Sequence, residues 1–141
     1  MHARVIKPEI LDTLPEGHPD AERNRKEIYL LGKLSGNYRH AVKLLKAHHQ
    51  PGDRILEIGA GTGELGKALT RKSEELTHTL DYTGLDLWNR PPLWPQRWNW
   101  WQGDLLDFNG YPDYNVLLGN FILHQFDDNT LRDLFNRIRN N

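Results

Sequence analysis

The chain has 141 residues, no cysteine and a formal charge of −1. That length suits one domain burying about two thirds of its unfolded surface, and the lack of cysteine excludes disulfides and thiolate metal sites. The balanced charge supplies no global field toward nucleic acid or a membrane. The first residues lack the apolar run of a signal peptide and no stretch reaches membrane-spanning length, so a cytoplasmic protein is expected.

Residues 1–50 read as a helical lead-in and 51–141 as the core. Residues 7–19 hold three prolines and little periodicity, which predicts a mostly extended arm or a short helical turn. From Ala21 to about Lys33, Ile28, Leu30, Leu31 and Leu34 lie among charges as in an amphipathic helix. Gly36-Asn37 breaks it, and a second helix runs from Tyr38 to His48 with Ala41, Val42, Leu44 and Leu45. Between Ala21 and Gln50 seven Lys/Arg face two Glu, a net of +5, which reads as a solvated helix face and not a polyanion site.

Alternation begins after the Pro51-Gly52-Asp53 turn. Strands are predicted at Arg54–Ile58, Tyr82–Asp86, Trp98–Gln102 and Tyr114–Leu118. A helix is expected over Glu64–Lys72, and a last one from about Asp127–Asn129 with Leu131, Leu134, Phe135 and Ile138 on one face. Strands separated by crossovers imply an α/β fold, a Rossmann-like parallel sheet with helices on both faces.

The most informative stretch is Arg54-Ile-Leu-Glu-Ile-Gly-Ala-Gly-Thr-Gly-Glu-Leu-Gly66. An apolar strand carrying Glu57 meets glycines that allow a sharp turn and close approach to a ligand, and a helix follows. Strand, glycine turn and helix form the layout of a nucleotide-cofactor site. Gly61–Gly66 also fits the dinucleotide fingerprint, but a carboxylate beneath the turn opposes a diphosphate and suits a ligand bearing ammonium and sulfonium groups. Asp86 closes the second strand, where a carboxylate can accept from ribose hydroxyls. Gly103-Asp104 ends the third with another acid, placed to accept from an adenine amino group.

Four segments, Glu57-Ile58-Gly59-Ala60-Gly61-Thr62-Gly63, Gly84-Leu85-Asp86, Gly103-Asp104 and Leu118-Gly119-Asn120-Phe121-Ile122-Leu123-His124, together resemble a class I S-adenosylmethionine-dependent methyltransferase. The resemblance spans about Asn37 to Arg139. It implies S-adenosylmethionine as cofactor, with Glu57, Gly59, Ala60 and Gly61 at its methionyl end and Asn120 beside them. It further implies Asp86 on the ribose, Leu87 against the adenine, and Asp104 with the Leu105 backbone at the adenine edge. The alternative for Asp104 is to cap a turn; for Leu87 and Leu105 it is to be core.

Methyl transfer needs alignment above all, and a hydroxyl or carbon nucleophile also needs a base, for which His124 is the candidate. The segment after the fourth strand departs from the Asn/Asp-Pro-Pro-Tyr/Phe pattern of enzymes that methylate nucleobase or glutamine nitrogens, which favours oxygen or carbon of a small molecule. No metal is implied. All five tryptophans fall within residues 88–101, among Pro91, Pro92 and Pro95, and are expected to cover a sheet face in place of a regular helix. The family fold goes on for about three more strands, so a sheet ordered 3-2-1-4 is expected to leave the fourth strand as an edge. A second copy (a homodimer) or a missing C-terminal half would pair with it. The rival expectation is a non-catalytic binding module that works through that edge or the tryptophan-rich surface.

Overall fold

The computed structural model describes residue 15, residues 18–34 and residues 36–139. The arm expected over residues 7–19 lies outside them, apart from Pro15, His18 and Pro19; Pro19 already opens a helix. In chain order the elements are α1 (Pro19–Leu34), α2 (Asn37–His48), β1 (Arg54–Ile58), α3 (Glu64–Lys72), α4 (Glu74–Thr79), β2 (Asp81–Asp86), β3 (Asn99–Gln102), β4 (Val116–Gly119) and α5 (Asp128–Arg139). Short 3-10 turns occupy Tyr111–Asp113 and Leu123–Gln125. Among the described residues no helix is long and apolar enough to cross a membrane.

The four strands form one parallel sheet in the order β3-β2-β1-β4. Ile55 pairs with Tyr82 and Val116, and Glu57 with Gly84 and Leu118, so these side chains share one face. Ile55 and Tyr82 on that face pack with Val42 and Leu45 of α2, Leu65 and Leu69 of α3, and Leu76 of α4. On the opposite face Leu56, Ile58 and Leu85 pack with Phe108, Tyr111 and Leu134 of α5. Helices thus lie on both faces, as a parallel sheet with apolar strands requires. The chain is a Rossmann-like α/β domain with a helical lead-in.

The tryptophans divide between the faces. Trp94 and Trp98 are buried against Tyr82, with ring centroids 5.7 and 4.7 Å from it. Their ring N–H groups differ: Nε1 of Trp94 donates to the Asn99 carbonyl at 3.1 Å, and Nε1 of Trp98 finds no partner. Trp100 stacks edge-on to Trp94, while Trp101 meets Phe108 on the other face. Gly84 makes room for this: a Cβ there would stand 2.6 Å from the Trp100 ring and 3.0 Å from Trp94.

Two strand starts and one helix depart from expectation for reasons visible in the packing. Trp98 does not begin β3, because its amide closes a turn on the Pro95 carbonyl and its indole turns into the core. Tyr114 does not begin β4, because it ends the 3-10 turn whose carbonyl at Tyr111 accepts its N–H. Helix α4 was not anticipated; Ser73 caps it by accepting from the Leu76 amide at 3.3 Å.

Candidate functional site

β1 ends in a turn whose glycines at 59, 61 and 63 have φ of +65°, +56° and +76°. L-residues avoid that region, so the turn needs glycine. It is stitched to β2: the Ala60 amide donates to the Leu85 carbonyl at 3.1 Å and the Gly61 amide to Oδ2 of Asp86 at 2.7 Å. A Cβ on Gly59 would stand 2.7 Å from Ile122, whereas one on Gly61 would meet nothing within 4 Å. The backbone at Gly61 therefore faces open space.

That space is a cavity of about 350 Å³ at the C-terminal ends of the strands, the place where ligands bind in open α/β sheets. The four sequence segments converge there. Glu57, Gly59, Ala60, Gly61, Asp86, Leu87, Asp104, Leu105 and Asn120 all line it. His124 does not: it lies exposed in the 3-10 turn beyond β4, outside the lining.

Glu57 sits at the floor, 3% exposed, with its Oε2 accepting from the Tyr82 hydroxyl at 2.9 Å. Burial pushes its carboxyl up to about 8; the Tyr82 bond opposes this and the charge of Asp86 adds to it. Burial and the neighbouring Glu57 raise the Tyr82 hydroxyl well above the usual phenol range. The uncharged carboxylic acid is thus favoured at neutral pH.

Asp86 braces the turn with both oxygens, taking the Gly61 amide on Oδ2 and the Trp88 amide on Oδ1 at 3.1 Å. A ribose diol there would share oxygens that already order the loop. Asp104 does cap a turn, its Oδ1 accepting from the Leu106 amide at 2.9 Å, and it lines the cavity as well. Leu105 belongs both to the lining and to the core, while Leu87 is 58% exposed at the rim. Asn120 takes a long hydrogen bond of 3.4 Å from Nδ2 of Asn37, which ties the lead-in helix to the end of β4.

Several lining residues escaped the sequence reading. Tyr38 enters from α2, and Ile122, Gln125 and Phe126 from the segment after β4. Tyr38 lies in an unremarkable amphipathic pattern, and only the packing of α2 beside the sheet brings it to the cavity. A Cβ on Gly32 of α1 would stand 2.7 Å from the Tyr38 ring, so that glycine admits the tyrosine. Phe121 has φ of +55°, a strained value for a bulky residue, at the place where the chain turns over the cavity.

Four carboxyl groups, Glu57, Glu64, Asp86 and Asp104, line the cavity, and among the described lining residues there is no Lys, Arg or His. Glu64 is offset by Lys67, whose Nζ lies 2.8 Å from its Oε1. With Glu57 holding its proton and Glu64 offset by Lys67, the lining carries less negative charge than four carboxylates would, and it offers a diphosphate no basic side chain. No protein-family model matches the chain, and no curated protein matches it in sequence.

Proposed function

We propose that this cavity binds S-adenosylmethionine and that the chain is a methyltransferase, or its cofactor-binding half, acting on an oxygen or carbon of a small molecule. The observation that carries the reading is the wall of acids around the open backbone at Gly61, with Glu57 buried at its floor. A ligand carrying an ammonium and a sulfonium complements those charges. Glu57 would hold the ammonium, Gly59, Ala60 and Gly61 the methionyl backbone, Asp86 the ribose, Leu87 and Leu105 the adenine faces, and Asp104 its edge. When bound, the cofactor would supply a methyl group activated by its sulfonium for transfer to an acceptor oxygen or carbon.

The chain's own residues bind and orient. The Gly61 and Ala60 amides are fixed by β2, so the turn is ordered before a ligand arrives, which lowers the entropic cost of binding. Tyr38, Ile122 and Phe126 wall the mouth with apolar surface and limit water there. His124, the base expected from the sequence, would have to swing from its exposed turn to act.

Isothermal titration with S-adenosylmethionine, S-adenosylhomocysteine and NADH tests the reading. Binding of the first two and no heat from NADH supports it; NADH binding alone removes it. A second reading follows from β4, which pairs with β1 and is only half-buried along Val116–Leu118. The domain could serve as a non-catalytic module pairing through that strand. Complete inactivity toward a panel of phenols and quinones by a folded, cofactor-binding sample would favour it.

A further inference from the structure

Tyr82 lies just outside the cavity lining, and its ring is fully buried. The indole of Trp98 packs on it at 4.7 Å, tilted by 31°, and that of Trp94 at 5.7 Å. Trp94 is itself wedged in place. A Cβ on Gly66 would stand 2.6 Å from its ring, and one on Gly63 or Gly84 would stand 3.0 Å away. One indole thus packs on the glycine turn, on α3 and on β2 together. Gly66, which completes the Gly61–Gly66 spacing, makes room here for an indole and not for a diphosphate.

From that clamp the phenol reaches diagonally along the sheet. Glu57 pairs with Gly84 and not with Tyr82, and the Tyr82 hydroxyl crosses the offset to donate to Oε2 at 2.9 Å. Burial and the neighbouring Glu57 hold that hydroxyl well above the usual phenol range, so it stays a donor at neutral pH. Oε1 is the oxygen left for a ligand.

We propose that Tyr82 is a positioning residue: clamped by Trp94 and Trp98, its hydroxyl fixes Glu57 so that Oε1 meets the ammonium of the bound ligand. The proposal rests on the cavity being the site of S-adenosylmethionine. Fixing one carboxyl oxygen in advance removes rotamer freedom that the ligand would otherwise have to quench. The bond also favours the charged carboxylate that an ammonium needs. The other titratable groups of the lining are Tyr38 on α2, Glu64 on α3 with Lys67 against it, Asp86 closing β2 and Asp104 after β3; the described lining residues beyond β4 include none. Asp86 pushes the Glu57 carboxyl up and Tyr82 pulls it down, so loss of the hydroxyl makes the carboxylate harder to form.

Calorimetry on the full chain tests this with two probes: S-adenosylhomocysteine, which carries the amino-acid end, and 5′-methylthioadenosine, which lacks it. At pH 7 Tyr82→Phe should weaken S-adenosylhomocysteine about tenfold, the worth of one hydrogen bond to a charged group, and leave 5′-methylthioadenosine within twofold. The rise of S-adenosylhomocysteine affinity with pH, which in the wild type runs toward about 8, should move to higher pH in the variant. In a Glu57→Gln background the same change should alter S-adenosylhomocysteine affinity less than twofold, because the group it acts through is gone. Trp98→Phe removes an indole N–H that has no partner and loosens the clamp; it should weaken S-adenosylhomocysteine more than 5′-methylthioadenosine.

Unchanged S-adenosylhomocysteine affinity in Tyr82→Phe overturns the proposal, and so does an equal loss of both probes, which would make Tyr82 a packing residue only. If that variant does not fold, Trp98→Phe decides, and a loss shared by both probes, or none, overturns it. A wild type that binds S-adenosylhomocysteine no tighter than 5′-methylthioadenosine also overturns it. A wild type that binds neither probe removes the cofactor reading itself, and the proposal with it.

Discussion

The Tyr82 hydroxyl donates to Oε2 of Glu57 at 2.9 Å, from one strand to the next, beneath the glycine turn. Residue 57 and residue 82 share a face of the sheet because Ile55 pairs with Tyr82 and the side-chain period is two. The bond holds the carboxyl toward the cavity and satisfies a group that otherwise would be costly to bury.

Stability should therefore depend on pH through Glu57. In the unfolded chain it ionises near 4.5, while in the fold it keeps its proton to about 8. Between those values the native state binds the extra proton, so stability falls as pH rises through the window and levels off above it. Glu57→Gln should match the wild type near pH 4 and exceed it by roughly 3–5 kcal/mol above pH 8. Urea titrations from pH 4 to 9 measure this; parallel curves for the two proteins would count against a buried, protonated Glu57.

A cation bound beside Glu57 should expel its proton. S-adenosylmethionine affinity is expected to rise with pH toward about 8, where Glu57 of the free protein gives up its proton, for as long as the ligand's amino group keeps its charge. Calorimetry in buffers of different ionisation enthalpy should give a net proton release near pH 7 for the wild type and none for Glu57→Gln. Equal proton counts would place the ammonium elsewhere.

Asp86 braces the turn, and in the proposed reading it also holds the ribose. Asp86→Ala leaves the Gly61 and Trp88 amides without the carboxylate that accepts from them, so it should cost about 1–3 kcal/mol of stability as well as most of the cofactor affinity. Gly61→Val places a β-branched residue at φ +56° with its side chain directed into open space; it should abolish binding at a cost of about 1–3 kcal/mol. Unchanged affinity in both variants would remove the assigned cradle.

The indole layer on the α2–α3 face carries much of the packing. Trp98 is 1% exposed, and Trp98→Ala should cost about 3–5 kcal/mol. Gly84→Ala forces a methyl against the Trp100 and Trp94 rings and should cost about 1–3 kcal/mol by overpacking. Thermal melts with near-ultraviolet circular dichroism report both, because the tryptophan signal changes with the packing.

Much of the fold is legible from local pattern. β1 and α3 lie where apolar alternation, the glycine turn and helical spacing put them, since each depends on forces within a dozen residues. α4 carries a single buried apolar residue, Leu76, too few for periodicity to reveal, so its Ser73 cap was the sole local cue. The glycines of the turn were legible because the backbone there takes positive φ, whereas the other residues proposed for the cofactor came from the family resemblance; the structure brings all nine to one cavity. The sequence by itself thus determined the turn and the identity of the acids, while the strand order was expected from the family resemblance and is made by pairing between distant segments.

Tertiary packing decided what surrounds that point. The burial of Glu57, and so its protonation, arises from Tyr82 and the covering layers, which no local window contains. The same packing brings Tyr38 from α2 to the wall and leaves His124 outside it. These are properties of distance between segments far apart in the chain, and only closure of the sheet and its helices fixes that distance.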